Sequence, residues 1–165
     1  MKKMNRIMKL LVLSDSHGND EQLLNIIMEH PDVHAIIFLG DGERDFDRVV
    51  HSGFVTADKE ICQVRGNCDL ASMRPDAVIR EFGGVRFLMT HGHEQKVKLS
   101  FWGLVDFAKA KNCSVALYGH THYKSVDVKE GITLINPGSA REGSFCVLEV
   151  KDGKVLILHD EGRAI

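Results

Sequence analysis

Residues 10–19, with the sequence LLVLSDSHGN, constrain the fold of this chain more than any other stretch. The four consecutive apolar residues 10–13 suit a strand that is buried on both faces. The apolar run stops abruptly before Asp15 and His17, which lie two positions apart and so point to the same side of an extended chain. Gly18 then allows the backbone to turn sharply. The pattern predicts a buried strand that ends in an acid and an imidazole directed at one point.

The same arrangement, an apolar stretch followed by a polar loop, recurs four more times along the chain. The four further strands are predicted at residues 34–39, 60–64, 85–90 and 114–118. The loops that follow them are Gly40-Asp41-Gly42, Gly66-Asn67-Cys68-Asp69, His91-Gly92-His93 and Gly119-His120-Thr121-His122. Because functional loops of α/β sheets lie at the carboxyl ends of strands, all five polar loops are expected to gather on one rim.

The segments between these strands predict helices and hairpins. Capping residues and apolar spacing predict helices from Asn19 or Asp20 to His30, over a short segment through Phe46 and Val50, and over residues 100–111. The other strands are predicted at residues 77–82, 124–128, 132–136, 145–150 and 155–159, with glycine turns in two hairpins. Strand–helix units followed by hairpins predict an α/β fold in which two mixed β-sheets pack face to face with helices outside.

Size, composition and charge predict an ordinary globular protein. The 165 residues predict one domain, residues 1–165, with 27% charged and 44% hydrophobic residues. The formal net charge of -2 provides no general attraction to nucleic acid or to an anionic membrane surface. The composition therefore gives no reason to expect either of them as a partner.

The cysteines and the amino-terminal residues predict the compartment. The four cysteines contain no CxxC pair, which indicates reduced thiols in a cytoplasmic protein, and all four are expected to be small buried residues. Residues 1–13 resemble a signal peptide, but Lys9 interrupts their apolar run and no small-residue cleavage site follows. No other stretch is long and apolar enough to predict a membrane span. The expected location is the cytoplasm.

The polar loops contain seven side chains of the types that bind metal ions: two carboxylates, one amide oxygen and four imidazoles. They are Asp15, Asp41, Asn67, His17, His91, His120 and His122. Mixed nitrogen and oxygen ligands favour Mn, Fe, Ni, Co or Zn over calcium or magnesium. Seven ligands exceed the usual number for one catalytic ion. A bridging carboxylate would divide them between two ions about 3.5–4 Å apart, an arrangement used for displacement at phosphorus.

Each motif also has a plain structural interpretation. Asp15 and His17 fit a helix cap followed by a surface histidine, while Gly40-Asp41 and Gly66-Asn67 are common turn dipeptides. Paired histidines on loops are harder to explain, because they rarely serve packing. Independent turns would not all follow strands in this order, and the five motifs together therefore favour a functional site.

The order Asp-x-His, Gly-Asp, Gly-Asn, His-Gly-His and Gly-His-x-His resembles the calcineurin-like metallophosphoesterase superfamily, especially its compact bacterial and archaeal phosphodiesterase branch. The resemblance covers essentially the whole chain. It implies a four-layer α/β/β/α sandwich and a dinuclear metal site. By motif position, one ion would bind Asp15, His17 and His122, the other would bind Asn67, His91 and His120, and Asp41 would bridge them.

The resemblance also concerns residues outside this ligand set. His93 is expected either to face the substrate phosphate or to support the rim. Together with two of the ligands, Asp41 and Asn67, it forms our set of candidate catalytic residues. Many members of the wider superfamily follow the asparagine with a histidine that assists the leaving group, whereas this chain has Cys68, as in the compact branch. Asp69 is expected to orient a neighbouring ligand. The general acid is therefore left unassigned.

The predicted function is metal-dependent hydrolysis of phosphodiesters, either aryl or small nucleotide-type diesters. A hydroxide bridging two divalent transition-metal ions would attack phosphorus in line. Mn²⁺ is the preferred ion, with Ni²⁺, Fe, Co²⁺ and Zn²⁺ as alternatives. The expected partner is the small phosphodiester substrate, and the sequence leaves a homo-oligomer open.

Two other functions stay open at this point. The small retromer subunit resembles the same compact fold and serves as a non-catalytic protein-binding scaffold; a scaffold can lose metal ligands, whereas this chain has every one. Related folds also cut DNA, but a nuclease needs lysines and arginines along a groove, and no basic cluster of this kind is evident. A nucleic-acid polymer and a membrane are therefore not expected as partners.

Overall fold

The computed structural model describes residues 6–158, and within them it has ten strands, three α-helices and one 3₁₀ helix. Two parts of the sequence predictions, residues 1–5 and the strand end at His159, lie outside this range. The strands are β1 Met8–Leu13, β2 Ala35–Phe38, β3 Glu60–Gln63, β4 Ala77–Phe82, β5 Val85–Thr90, β6 Val115–Leu117, β7 Ser125–Lys129, β8 Ile132–Asn136, β9 Cys146–Lys151 and β10 Lys154–Leu158. The helices are α1 Asp20–Met28, α2 Glu43–Val50, α3 Trp102–Ala110 and the 3₁₀ helix Ala140–Glu142.

The strands form two five-stranded sheets of mixed direction. The first sheet has the order β10-β9-β1-β2-β3, in which β1, β2 and β3 are parallel and β9 is antiparallel to both its neighbours. The second has the order β4-β5-β6-β8-β7, in which β5, β6 and β8 are parallel and the outer strands are antiparallel to their neighbours. Each sheet thus has three adjacent parallel strands whose carboxyl ends share one edge.

Alternating side chains of the central strands fill three apolar layers. Leu10 and Phe87 belong to the layer between the two sheets. Leu11, on the opposite face of β1, belongs to the layer beneath α1 and α2, and Leu88 and Leu104 belong to the layer beneath α3. All five side chains are fully buried, and burial of each contributes about 1.5–3 kcal/mol. The apolar run in β1 exists because both of its faces are covered.

The predicted fold class, a four-layer α/β/β/α sandwich of two mixed β-sheets flanked by helices, is confirmed. The predicted bounds of β4, β5 and β8 coincide with those observed. Helix α1 ends at Met28 rather than His30, because the chain turns there with a backbone hydrogen bond from His30 to Ile27. The 3₁₀ helix was not expected. Within residues 6–158, no helix has the length and apolar character needed to cross a membrane.

Candidate metal centre

The five polar loops lie together at one rim of the two sheets. Asp15, Asp41 and Asn67 follow β1, β2 and β3, whose carboxyl ends share an edge of the first sheet. His91 and His120 follow β5 and β6, which are parallel neighbours in the second sheet. The structure therefore brings the five loops together, as the order of strands and loops in the sequence predicts.

Asp15, His17 and His122 form one group of donors, which we call the Asp15 half. Asp15 Oδ1 lies 3.1 Å from His122 Nε2 and 3.5 Å from His17 Nε2. The two imidazole Nε2 atoms lie 3.1 Å apart. The other carboxylate oxygen of Asp15 accepts hydrogen bonds from the Ser14 hydroxyl and the His120 backbone N–H, at 2.5 and 3.1 Å. These bonds leave Oδ1 directed at the two imidazoles.

Asn67, His91 and His120 form a second group, the His91 half. His91 Nε2 lies 3.1 Å from the amide oxygen of Asn67, and the ring centroids of His91 and His120 are 5.0 Å apart. His91 Nδ1 donates a hydrogen bond of 2.7 Å to the backbone carbonyl of Leu39. This bond fixes the ring so that Nε2 faces the cluster.

Asp41 lies between the two halves. Its Oδ2 is 3.2 Å from His91 Nε2 in one half and 3.8 Å from His17 Nε2 in the other. Its Oδ1 accepts a hydrogen bond of 2.8 Å from the backbone N–H of Cys68, which orients the carboxylate. A carboxylate that bridges two ions would need this position.

Five of the seven candidate ligands have a left-handed backbone conformation. The φ angle is 56° at Asp15, 42° at His17, 58° at Asp41, 70° at His120 and 64° at His122. Such angles are uncommon for residues with a side chain and cost on the order of 1 kcal/mol or more each. Glycine would relieve this strain but would remove the donor atom. Four residues outside the cluster, Lys96, Asn112, Glu130 and Asp152, have positive φ angles as well. The strain therefore supports a function for the five side chains only in combination with their position in the cluster.

Gly66 and Gly119 allow neighbouring loops to approach the cluster closely. A Cβ atom at Gly66 would lie 2.1 Å from Asp41 Oδ1, and a Cβ atom at Gly119 would lie 2.0 Å from Ser14 Oγ and 2.7 Å from Asp15 Oδ2. These distances are far shorter than ordinary contacts between atoms that are not bonded. The glycines of the Gly-Asn and Gly-His motifs thus serve loop packing, which the turn interpretation does not explain.

The carboxylate of Asp69 joins the loops after β2 and β3. It accepts hydrogen bonds of 2.9, 3.0, 3.1 and 2.7 Å from the backbone N–H groups of Asp41, Gly42, Glu43 and Gly66, respectively. Hydrogen bonds to an ionised acceptor are stronger than those between neutral groups. The contact with Asp41 is of the kind expected for Asp69, because it orients the backbone of a candidate ligand.

Asp45 holds the loop after β1 in a similar way. This buried residue lies in the first turn of α2, and its Oδ2 accepts hydrogen bonds of 2.7 Å from both the Ser16 hydroxyl and the Gly18 N–H. Arg48 donates a hydrogen bond of 2.8 Å to its Oδ1. The sequence gives no signal for this role, because acidic residues are common in the first turn of any helix.

A sixth polar segment, residues 136–139, begins at the last residue of β8 and supports the loops after β1 and β6. The buried Asn136 amide donates hydrogen bonds of 3.0 Å to the Gly119 carbonyl and 2.9 Å to Thr121 Oγ1. Ser139 Oγ donates one of 2.8 Å to the Asp15 carbonyl. The sequence does contain a signal here, since residues 136–139 repeat the pattern of a strand followed by a polar, glycine-containing loop. Neither Asn136 nor Ser139 is among the residues predicted for the site.

The charges in the cluster favour the metal-binding forms of Asp41 and His120, whereas they favour the protonated form of His91, whose Nε2 must lose its proton when an ion binds. Although burial favours neutral imidazole, Asp41 and Asp15 raise the pKa of His91 above its ordinary value. Burial also opposes ionisation of Asp41, but hydrogen bonding to His91 and its charge hold the pKa of that carboxyl below its usual range. Burial and the charges of His91 and Lys98 lower the pKa of His120 to about 4. At neutral pH, Asp41 is thus ionised and His120 neutral, the forms that bind metal ions.

His93 lies beside the cluster but outside both halves. Its ring centroid is 5.4 Å from that of His91 and 6.2 Å from that of His120. Its Nε2 lies 3.4 Å from a carboxylate oxygen of Glu94, and its buried Nδ1 has no hydrogen-bond partner among the described residues. His93 therefore supplies no donor atom to either half.

Cys68 is exposed, and the prediction that every cysteine is a small buried residue is wrong at this position. It lies in the loop between β3 and β4, outside the three apolar layers. Cys62, Cys113 and Cys146 are buried as predicted, and none of the four cysteines forms a disulfide. Partial desolvation, followed by the negative charge of Asp41, raises the pKa of the Cys68 thiol.

This donor set fits divalent metal ions. Asp15 Oδ1 is buried and accepts no hydrogen bond from the described residues, although two imidazole nitrogens lie close to it. A buried carboxylate oxygen without a partner is costly, and a cation would compensate it. Donor atoms of Asp15, His17 and His122 lie within 4.8 Å of one another. The same holds for the donor atoms of Asp41 and the two histidines of the His91 half, His91 and His120. Nitrogen and oxygen donors in two adjoining groups suit a pair of transition-metal ions.

Comparison with protein families agrees with this chemistry. A family model of the calcineurin-like phosphoesterase superfamily domain matches residues 8–161. The chain belongs to this superfamily. The resemblance drawn from the five sequence motifs is therefore confirmed, and all seven candidate ligands lie within the matched residues. Membership implies a metallophosphoesterase, that is, a hydrolase of phosphoester bonds that uses divalent metal ions.

Individual relatives support the same conclusion. The chain is 32% identical to the probable metallophosphoesterase YsnB of Bacillus subtilis over 135 residues, covering 81% of this chain and 76% of that protein. It is 29% identical to the phosphodiesterase MJ0936 of Methanocaldococcus jannaschii over 150 residues, covering 79% and 83%. The crystal structure of Vps29 complexed with zinc from Entamoeba histolytica has a TM-score of 0.75 at 20% identity, covering 91% of this chain and 90% of that one. The last likeness shows the fold alone.

Proposed function

We propose that the protein is a dinuclear phosphodiesterase that hydrolyses aryl or small nucleotide-type diesters. The observation that supports this most strongly is the position of Asp41, whose Oδ2 lies 3.2 Å from an imidazole of one half and 3.8 Å from an imidazole of the other. Two ions that share a carboxylate can hold the attacking and leaving oxygens of a displacement at phosphorus. The named phosphodiesterase among the relatives supports the same substrate class.

The two halves would each hold one ion. The proposed ligands are Asp15, His17 and His122 for one ion, Asn67, His91 and His120 for the other, and Asp41 for both. Bound ions would lower the pKa of water towards about 7 and offset the negative charge of a phosphate. We propose Mn²⁺ as the ion, because the mixed nitrogen and oxygen donors suit it, and Ni²⁺, Fe, Co²⁺ and Zn²⁺ suit the same donors.

Hydrogen bonds from the protein hold the donor atoms in place. Each ligating carboxylate uses one oxygen for the protein: Asp15 Oδ2 binds the Ser14 hydroxyl, and Asp41 Oδ1 binds the Cys68 N–H. The other oxygen of each remains directed into the cluster. The Leu39 carbonyl fixes the ring of His91 in the same manner. Ligands oriented in advance in this way bind ions more tightly and place them more accurately.

Cys68 bears on the choice of leaving group. Its thiol lies near Asp41, and its raised pKa makes it a poor acid at neutral pH as well as a weak hydrogen-bond donor. A phenolate can depart without a proton, whereas an alkoxide departs slowly. Because general acid catalysis contributes typically about 10²–10⁴-fold, aryl diesters should react far faster than alkyl diesters. Similar rates for both, with chemistry limiting, would require another acid, and His93 would be the first candidate.

A non-catalytic scaffold is the second candidate function, because Vps29 structures share the fold. The full set of seven donors and the hydrogen bonds that orient them support the enzyme instead. The absence of disulfides among the four cysteines supports a reducing compartment, and we propose the cytoplasm as the location.

The test is hydrolysis by metal-depleted protein that has been reconstituted with Mn²⁺ or Ni²⁺. We expect release of nitrophenol from bis(4-nitrophenyl) phosphate, a large loss in His122→Ala and little change in His51→Ala. His51 is the matched control, because it is an exposed histidine that binds the Asp47 carbonyl away from the cluster. Absence of hydrolysis with every ion would favour the scaffold. Equal loss in the two variants would contradict the assigned site.

A further inference from the structure

A cavity of about 550 Å³ opens beside the candidate metal centre. It lies between the first turn of α2 and the loop that follows β3. His17 and Asp41 line it, so that it adjoins the candidate ligands. Leu70 and Ala71 of the loop line it as well. An organic group in this cavity can therefore belong to the same ester as a phosphate at the metal cluster.

The charges that line this cavity disfavour a second phosphate. Glu43, Asp45 and Asp69 line it, whereas Arg44 is the only lysine or arginine among its described lining residues. Sites that bind phosphate oxygens are instead rich in arginine, lysine and free backbone N–H groups. Two N–H groups at this end of α2, those of Gly42 and Glu43, are already bound by Asp69. The charges of the cavity therefore disfavour a second phosphate group.

Leu70 supplies an apolar contact that the fold itself does not use. Its side chain is 92% exposed and lies in none of the three apolar layers. Met73, on the same loop, is 97% exposed but does not line the cavity. Single exposed apolar residues are common on protein surfaces. Leu70 differs because it lies at the wall of a cavity that adjoins a candidate catalytic centre.

We propose that this cavity binds one uncharged organic group of the phosphodiester, of aromatic or nucleoside size, and that Leu70 contributes to specificity by contacting that group. The volume lies within the range of small-molecule sites, about 300–1,000 Å³. The inference rests on the proposed function, because the phosphate must lie at the metal cluster. It deepens that function because the cavity would select diesters with a bulky neutral group over esters that bear a further phosphate.

The test measures binding of two monoanionic probes, diphenyl phosphate and dimethyl phosphate, to Mn²⁺-loaded protein by isothermal titration calorimetry. The probes have the same phosphate charge and differ only in their organic groups. We expect wild-type protein to bind diphenyl phosphate at least about tenfold more tightly, because aryl carbons leave water in the cavity. In Leu70→Ala this ratio should fall about threefold or more. In the matched control Met73→Ala it should not change.

The outcomes separate this inference from the proposed function. A ratio near one in wild-type protein, or equal effects of Leu70→Ala and Met73→Ala, would overturn the cavity assignment even if diesters are hydrolysed. Hydrolysis of no ester, combined with a binding ratio that depends on Leu70, would overturn the proposed function and leave the cavity assignment intact. A third outcome is that wild-type protein binds pyrophosphate more tightly than phosphate and that Arg44→Ala loses this preference. That result would show a second phosphate site and overturn the inference. Thermal melts check that both exposed substitutions leave folding unchanged.

Discussion

The two halves of the donor cluster differ in how firmly the protein holds their imidazoles. The His91 side chain is 0% exposed, and its Nδ1 is bound by the Leu39 carbonyl. In the Asp15 half, the His17 and His122 side chains are 23% and 47% exposed. His91 is therefore oriented before an ion arrives, whereas His17 and His122 must lose side-chain freedom when they bind one. We expect the first ion to bind at the His91 half and the second to bind more weakly at the Asp15 half.

The largest effect should come from Asp41→Asn, because Asp41 is the proposed ligand of both ions. The substitution removes a negative charge between the two ions and should reduce the affinity of both. We expect metal content to fall from about two equivalents to below one, and kcat/KM for an aryl diester to fall at least about 100-fold. Elemental analysis and initial rates measure the two effects. Two retained equivalents would contradict the shared position.

A smaller and one-sided effect is expected from Asn67→Ala, which removes the amide oxygen from the His91 half. Activity should fall by about tenfold to 100-fold, while the free energy of unfolding changes by less than about 1 kcal/mol, because Asn67 is exposed. His122→Ala is the counterpart in the Asp15 half and should mainly remove the weaker ion. Thermal melts and metal analysis of both variants test this. A normal rate with full metal content in Asn67→Ala would exclude Asn67 as a ligand.

The two carboxylates that join the loops offer a matched pair of variants. Asp69 binds backbone next to Asp41 and Asn67, whereas Asp45 binds Ser16 and Gly18 in the loop of the Asp15 half. Asp45→Asn should therefore weaken mainly the ion of the Asp15 half. Asp69→Asn should weaken the ion of the His91 half most and, through Asp41, the other ion less, with an effect of about tenfold to 100-fold at the more affected ion in each variant. Stepwise titration with Mn²⁺ resolves the two affinities. Equal weakening of both ions in both variants would mean that these residues only stabilise the fold.

The smallest effect concerns backbone strain at His17, whose φ angle is 42°. Glycine adopts this conformation without a steric cost, whereas alanine does not. In metal-free protein, His17→Gly should be more stable than His17→Ala by about 1 kcal/mol, although both lose the same ligand. Chemical denaturation measures the difference. If His17→Ala is the more stable variant, the strain is not stored at this residue.

Much of this arrangement could be predicted from the sequence, because its signals are local. Four consecutive apolar residues identify β1 as a strand covered on both faces, and Asp15 and His17 follow it directly. The same logic places Asp41 and His91 after their strands. The parallel pairing of these strands then brings the donors to one rim.

The remaining features depend on tertiary contacts that no local pattern encodes. Asp45 resembles any acid at the start of a helix until its hydrogen bond to Gly18, 27 residues away, is seen. Asn136 reaches Gly119 in the same way, across 17 residues. The exposure of Cys68 could not be predicted from composition, because cysteine is usually buried and only the path of the loop after β3 leaves it uncovered.

The central claim is that Asp41 joins two ion sites into one dinuclear centre, and the spin coupling of bound Mn²⁺ tests it most directly. Two Mn²⁺ ions about 3.5–4 Å apart that share a carboxylate are magnetically coupled. Electron paramagnetic resonance of wild-type protein with two equivalents of Mn²⁺ should therefore show a coupled pair. The coupling should disappear in Asp41→Asn. A single bound equivalent, or two ions with the signals of isolated Mn²⁺, would contradict the account.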